Sequence, residues 1–317
     1  MPVFWWERKE SMQRVREQVQ VPEQLYDGQS NKSPAVIAVL DTGIAYHPDL
    51  AGKLLCFADF VEKRQLPYDD NGHGTHICGI LCGSGELSEG RFRGMAPGAK
   101  LVVGKVLDDN GEGSCDAMRD ALQWVLRLKN RYKIRILNIS VGIGELKERY
   151  KEQVLREELE KLWDHNILVV CAAGNNGPVD GSISEMASSR KVLTVGCHDG
   201  RYCKNDPGRC ETYSGRGRRY DVLRKPDIVA PGTRILSCNA SWRKQNGRIL
   251  MPYVAKSGTS MATPIVSGAA SLTLGKYPWL TNEEFVRLLS LTATDLGEPW
   301  NKQGFGMLNV RRLLENK

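Results

Sequence analysis

Three residues set far apart in this chain, Asp41, His73 and Ser260, are of the types that together perform nucleophilic catalysis. A hydroxyl becomes a useful nucleophile when a base takes its proton. A neutral imidazole serves as that base when a carboxylate fixes its tautomer and stabilises its protonated form. Asp41 follows the apolar run Ala35 to Leu40 and opens Asp41-Thr42-Gly43, where an inward-facing carboxylate needs a partner. His73 has glycine on both sides in Asp70-Asn71-Gly72-His73-Gly74-Thr75-His76, which leaves its ring accessible at a predicted helix start. Ser260, in Ser257-Gly258-Thr259-Ser260-Met261-Ala262-Thr263-Pro264, falls at another predicted helix N-terminus, where free N–H groups and the helix dipole favour a developing oxyanion. A lone aspartate, histidine or serine is ordinarily a surface or capping residue. These three stand out because each coincides with a strand end or helix start, at the C-terminal edge of a parallel sheet where α/β proteins build their sites.

The elements that must position them follow from hydrophobic period. Short β-branched runs at 35–40, 100–106, 134–140, 167–172, 192–196 and 227–230 read as buried strands. Between them, Met118, Leu122, Val125 and Leu126 recur at helical spacing in 116–130, as do Tyr150, Val154, Leu155, Leu159 and Leu162 in 146–164. A third helix should begin near Thr259; its small residues, Ala262, Ser267, Gly268, Ala269 and Ala270, suit passage through a packed interior. Alternating strands and helices predict an α/β fold, a mostly parallel sheet covered on both faces. No repeat or linker splits the chain, so one domain over 35–317 is expected, with 1–34 as an N-terminal extension and lead-in.

Three segments, Val39-Leu40-Asp41-Thr42-Gly43, His73-Gly74-Thr75-His76 and Gly258 to Pro264, in that order resemble the signature blocks of the subtilisin family of serine proteases. The Asp, His, Ser chain order is that of subtilisin itself. The resemblance extends from about Val36 to Leu308, and implies a three-layer α/β/α fold and hydrolysis of peptide bonds through an acyl-enzyme. It makes Ser260 the nucleophile, His73 the base and Asp41 its orienting partner. Ala172-Ala173-Gly174-Asn175-Asn176-Gly177 matches the block that supplies the side-chain oxyanion donor, here Asn175; in subtilisin, losing that donor costs about 2.7–4 kcal/mol of transition-state stabilisation. Ser140, Val141 and Gly142 on one edge, Gly111 and Gly113 on the other, with Gly174, resemble the segments that hold an extended peptide as an added strand. His76 is expected to be a helix residue and His47 a structural one.

The pattern also departs from the family. Ser184-Glu185-Met186-Ala187-Ser188 lacks the usual pocket-shaping proline, and Glu185, with Asp69 and Asp70, points weakly to a preference for basic substrates. No cofactor is implied beyond a structural calcium. The loop Gly83 to Gly94 offers Glu86 and Glu89 but not the dense oxygen set that Ca²⁺ takes, and Asp49 lacks a partner set. No metal ligands are expected. With only 40 residues before Asp41 and no signal peptide, the chain looks most like the intracellular subtilisins. The aromatic group Pro2-Val3-Phe4-Trp5-Trp6 within Met1 to Lys9 is then a candidate plug for the cleft.

Composition limits the alternatives. The chain has 44 Lys and Arg against 37 Asp and Glu, a net charge of +7 that is scattered apart from Arg216, Arg218, Arg219, Arg224 and Lys225, so nucleic acid is not an expected partner. Apolar runs such as Ile167 to Ala173 are far too short to span a membrane. Nine cysteines, an odd number without a secretion signal, predict reduced thiols and a cytoplasmic protein. The partner expected is an extended peptide or protein substrate, cut either generally or, for a dedicated processing protease, in a single precursor. A peptide-binding pseudoprotease is the non-enzymatic alternative.

Overall fold

Continuous aliphatic runs, buried on both faces, build the sheet. The computed structural model describes residues 12–26, 33–141, 149–201 and 208–315. Its seven-stranded sheet is made of β1 (Val36–Asp41), β2 (Leu54–Asp59), β3 (Leu101–Lys105), β4 (Ile134–Ile139), β5 (Leu168–Ala172), β6 (Leu193–Cys197) and β7 (Ile228–Ala230), in the spatial order β2-β3-β1-β4-β5-β6-β7. Every pairing in it is parallel. The six strands expected from sequence are all present. The seventh, β2, is the partly exposed edge strand and has no continuous β-branched run to announce it.

Helices cover both faces. On one lie α2 (His73–Cys82) and α5 (Thr259–Lys276), packed on each other; on the other lie α3 (Cys115–Tyr132) and α4 (Arg149–Asp164). Alternation along β1 sends Ile37 and Val39 into the first layer with Ile77 and Ile265, and Ala38 and Leu40 into the second with Met118 and Leu122. The same parity aims Asp41 at the layer that carries α2 and α5. Sheet order reverses direction at β1, so the crevice beyond its C-terminal end is the switch point where doubly wound sheets bind ligands.

Helix α1 (Met12–Gln18) buries Met12 and Val15 in the core, and Arg14 Nη2 donates to Thr233 O at 2.9 Å. Residues from Met12 onward are thus integral to the same core as the sheet. The N-terminal segment Met1 to Lys9, with its proposed plug, lies outside the described residues.

Beyond the sheet, β8 (Ile235–Cys238) and β11 (Tyr253–Lys256) form an antiparallel pair packed on α2, and the chain between them makes a small hairpin of β9 (Arg243–Gln245) and β10 (Arg248–Leu250). Asn246 and Gly247, at φ 50° and 75°, form its turn, the left-handed pair that a two-residue hairpin loop needs. The chain closes with α6 (Asn282–Thr292), whose Thr281 and Glu284 form a capping box, then α7 (Trp300–Gln303) and α8 (Val310–Glu315). Among the described residues, no helix is long and apolar enough to cross a membrane.

One expectation about cysteine is corrected. Cys197, at the end of β6, and Cys210 form a disulfide with a Cα–Cα separation of 5.7 Å. Ser214 draws the two together: its Oγ accepts from Cys197 N–H, and its own N–H donates to Cys210 O. Cys78, Cys82, Cys171 and Cys238 are buried free thiols, and burial pushes each thiol upward. They behave as small core hydrophobes. Cys203 lies outside the described residues.

Candidate active site

Asp41 leaves β1 fully buried, and its Oδ1 takes two hydrogen bonds: Thr42 N–H at 2.8 Å and His73 Nδ1 at 2.7 Å. Because Nδ1 donates to the carboxylate, the lone pair of the neutral ring is on Nε2. Burial opposes charge on His73, but the adjacent Asp41 carboxylate outweighs it and raises the imidazole above its ordinary pKa. His73 is the first residue of α2 and its side chain keeps 20% of its surface exposed. It is therefore held from behind and open in front.

The turn before His73 is organised by a residue that sequence reading assigned to something else. Asp69 Oδ1 accepts from Gly72 N–H (2.7 Å) and Thr42 Oγ1 (2.8 Å), while Oδ2 accepts from Thr75 N–H (2.8 Å) and Thr75 Oγ1 (2.6 Å). Thr42 Oγ1 in turn accepts from Gly74 N–H at 2.8 Å. The Asp41 strand end and the His73 helix start are thus locked together through one carboxylate. A side chain at Gly74 would collide with the Gly43 carbonyl, so the close approach requires glycine there. Lys105, fully buried at the end of β3, donates to Thr42 O at 2.8 Å and pairs with Asp70 at 2.7 Å. The pattern Asp69-Asp70-Asn71-Gly72-His73-Gly74-Thr75 held the signal for this network, since an acid preceding a glycine-flanked helix start is a capping arrangement.

On α5, Ser260 is the second residue and half-exposed. Asn175, in the loop after β5, offers Oδ1 to Thr259 N–H at 3.0 Å and Thr259 Oγ1 at 3.1 Å. An N–H can only donate, so this contact fixes which end of the amide is oxygen and leaves Nδ2 free beside Gly258. Gly258 sits at φ 146°, and a Cβ there would lie 3.3 Å from Asn175 Nδ2. The oxyanion donor expected from sequence is thereby placed one residue from the expected nucleophile.

The other two histidines singled out are structural. His76 Nε2 donates to Ile235 O (2.9 Å) and Val254 O (3.1 Å), and burial, with His73 and Lys256 nearby, pushes it down to about 3. His47 donates to Pro252 O and accepts from Asp49 N–H.

These features, a β1 aspartate bonded to a helix-start histidine and an asparagine amide fixed beside a serine turn, coincide with the match of residues 32–307 to the Subtilase family. The chain belongs to the subtilase family, the subtilisin-like serine proteases. It is 38% identical over 286 residues to the serine protease AprX of Bacillus subtilis (strain 168), a match that covers 86% of this chain and 64% of AprX. It is 34% identical over 274 residues to Subtilisin Savinase of Lederbergia lenta, across 86% of this chain and 88% of that one. The solved structure of Sphericase superimposes with a TM-score of 0.74 at 25% identity, covering 95% of this chain and 98% of Sphericase. The three-layer subtilisin-like α/β fold expected from sequence is the fold found.

Against this subtilase frame, the expected substrate edges stand as follows. Ser140 is fully buried and its Oγ accepts from Asn138 Nδ2 (2.9 Å), so only its backbone can meet a peptide; Val141 follows it and Gly142 lies outside the described residues. Gly111, at φ 80°, and Gly113, packed on Val106, belong to a tight loop that Asn71 Nδ2 ties to the His73 turn through Asp109 O at 2.9 Å. Gly174, at φ 88°, has open space where a side chain would be.

Both charge features noted in the sequence have partners within the protein. The acids read as hints of a basic preference all have internal partners: Asp69 and Asp70 as above, and Glu185 with Arg156 at 2.6 Å. A calcium ion does not fit beside Asp49 either. Leu87 N–H takes its Oδ1 at 3.1 Å and Tyr253 OH its Oδ2 at 2.7 Å, while Arg16 donates into the Gly83 to Gly94 loop at the Arg93 and Gly90 carbonyls. Hydrogen bonds and a guanidinium hold this loop where a cation would need open oxygens. His47, Asp49 and Cys238 do gather their donor atoms within 4.8 Å, but both ring nitrogens and both carboxylate oxygens are already bonded.

Proposed function

We propose that this chain is an endopeptidase in which Ser260 Oγ attacks the peptide carbonyl while His73 Nε2 takes its proton. Asp41 holds the ring and stabilises its charge, and Asn175 Nδ2, with the Ser260 N–H, receives the oxyanion. His73 then passes the proton to the departing amine, leaving an ester on Ser260 that water hydrolyses by the same relay. The observation that carries this reading is the 2.7 Å bond from His73 to a fully buried Asp41, which orients the base toward the cleft. Backbone at Val141 and at Gly111 to Gly113 would flank an extended substrate. The setting we propose is intracellular, on the strength of the four buried free thiols, with the Cys197–Cys210 disulfide as the observation that counts against it.

Wild-type protein should cleave a mixed peptide library and take up a serine-directed phosphonate at one site. Ser260→Ala should abolish both, with a drop of about 10⁶ in kcat, the scale seen when the nucleophile is removed from subtilisin itself. Cleavage that persists in Ser260→Ala refutes the assignment, and binding without any wild-type cleavage would make the chain a peptide-binding pseudoprotease. One or a few cleaved sequences, rather than many, would mark a dedicated processing enzyme.

A further inference from the structure

Between Asp227 and Glu283 the chain has no acidic residue, yet Arg234, Arg243, Lys244, Arg248, Lys256 and Lys276 fall within that stretch. Lys256 is close enough to His73 for their charges to interact, and Arg243, Lys244 and Arg248 sit on a hairpin whose root meets the His73 turn. Arg243, Lys244 and Arg248 are exposed on the β9–β10 hairpin, and Lys256, half-buried, ends β11 four residues before Ser260. Among the described residues these four have no carboxylate partner, whereas Lys105, at the end of β3 beside the Asp41 turn, has Asp70. Pairing of Arg243 with Leu250 and of Gln245 with Arg248 puts Arg243 and Arg248 on one face of the hairpin.

The hairpin is fixed against the site. Its base touches the turn that carries His73, since a side chain on Gly72 would meet Ala240 Cβ at 3.4 Å. Trp242 Nε1 donates to Tyr46 O at 2.8 Å, and its ring packs edge-on against His47. Asn239 N–H and Nδ2 bond Pro252 O (3.0 Å) and Met251 O (2.9 Å), closing the loop at its root. Lys256 is near enough to both His73 and His76 to oppose a positive charge on either.

We propose that Lys256 and the Arg243 and Arg248 face of the hairpin form a carboxylate-recognition surface that selects acidic residues on the leaving-group side of the scissile bond. The proposal rests on the endopeptidase reading above and names the substrate class for it. The side is assigned from the elements that carry each group. Asn175 and Val141, which would hold the acyl half, belong to the ends of β5 and β4 in the main sheet. The cations belong to the separate β8–β11 pair and its hairpin. Lys256 lies near His73, the group that delivers the proton to the departing amine. Unpaired cations next to a site raise local acid concentration and disfavour basic partners, an effect that fades with salt. Asp69 and Asp70 are held internally and Glu185 pairs with Arg156, which leaves Asp109 and Glu112, exposed on the loop that holds Gly111 and Gly113, as the acids that oppose this bias.

The test uses quenched peptides with one acyl half and with Glu, Gln or Lys at the first three places after the cleaved bond. Wild-type kcat/KM should favour Glu over Lys by on the order of tenfold at low ionic strength, and the ratio should fall toward one in about 0.5 M salt. Lys256→Glu should cut the ratio, and Arg243→Glu with Arg248→Glu added should invert it. A Glu to Lys ratio near one in wild type, a preference that survives charge reversal or salt, or an acid preference confined to the acyl half overturns the proposal. The salt series needs only wild-type protein, so it decides the matter even if a variant does not fold. Absence of Ser260-dependent cleavage of every peptide would instead refute the endopeptidase reading.

Discussion

Around Asp69, two carboxylate oxygens take four hydrogen bonds from Thr42, Gly72 and Thr75, and the buried Lys105 closes the same turn from below. The Asn239 to Pro252 hairpin touches that turn at Gly72 but offers three cations to solvent with no acid among its own residues. In the first region every charge has a partner inside the protein, which fixes the position of His73. In the second the charges are left for something outside. Rigid support is what catalytic geometry requires, because a small misplacement of a base costs rate. Exposed and unpaired charge is what recognition requires, because a cation already bound to its own acid has little left for a substrate.

The sharpest way to break this contrast is Asp69→Ala. It strands Gly72 and Thr75 N–H groups in a buried turn, and unsatisfied buried donors cost about 1–3 kcal/mol each. A loss on the order of 3–5 kcal/mol in urea denaturation is expected, with Asp69→Asn falling between because one oxygen remains. Activity of the folded fraction should fall as well, since His73 loses its frame. A loss under about 1 kcal/mol would mean that the turn is held some other way.

Next in size is a split in pH behaviour between two histidines three residues apart on α2. His76, held down to about 3 in the fold and near 6.5 when unfolded, takes up its proton only on unfolding within that window. Stability should therefore fall as pH drops below 6.5, by on the order of 2 kcal/mol at pH 5, with buried His47 and His198 acting in the same direction. His73 is raised instead, so its contribution to stability is present at low pH and lost as pH rises through its folded value. Since catalysis needs it neutral, the acid limb of kcat/KM should lie above the ordinary imidazole value. Denaturation and rate profiles recorded on the same samples check both; an acid limb at or below that ordinary value would remove Asp41 as the group that sustains the His73 charge.

The two regions were not equally legible in the sequence. Asp41, His73, Ser260 and Asn175 are each marked by small-residue settings at element ends, and the strands that carry them are plain apolar runs, so fold and candidate site could be read together. Asp69 could not be told from a solvated acid, because its role depends on four donors that only the folded turn brings together. The partner of Glu185 was hidden for the same reason: Arg156 is far from it in sequence but adjacent in space. The disulfide likewise depends on Ser214 drawing two loops together. The hairpin left a clear mark, Asn246-Gly247 between short polar strands, but no apolar alternation to flag it, because neither of its faces is buried.

That exposure sets the smallest expected effect. Replacing Asn246-Gly247 with Ala-Ala forces two residues with side chains into the left-handed region, at about 1 kcal/mol each by ordinary sterics, a cost that falls on the hairpin alone if it stands apart from the core. The midpoint of global unfolding should move by less than about 0.5 kcal/mol, while amide exchange across residues 243–250 accelerates and the Glu to Lys selectivity declines. Trp242 and Ala240, at the root of the loop, should keep their contacts with Tyr46 and Gly72, because those lie outside the turn. If global stability instead fell by several times that amount, the hairpin would be part of the frame that holds His73. Its cations would then owe their position to the same constraint as Asp69, and the separation between a rigid frame and a free recognition surface would be lost.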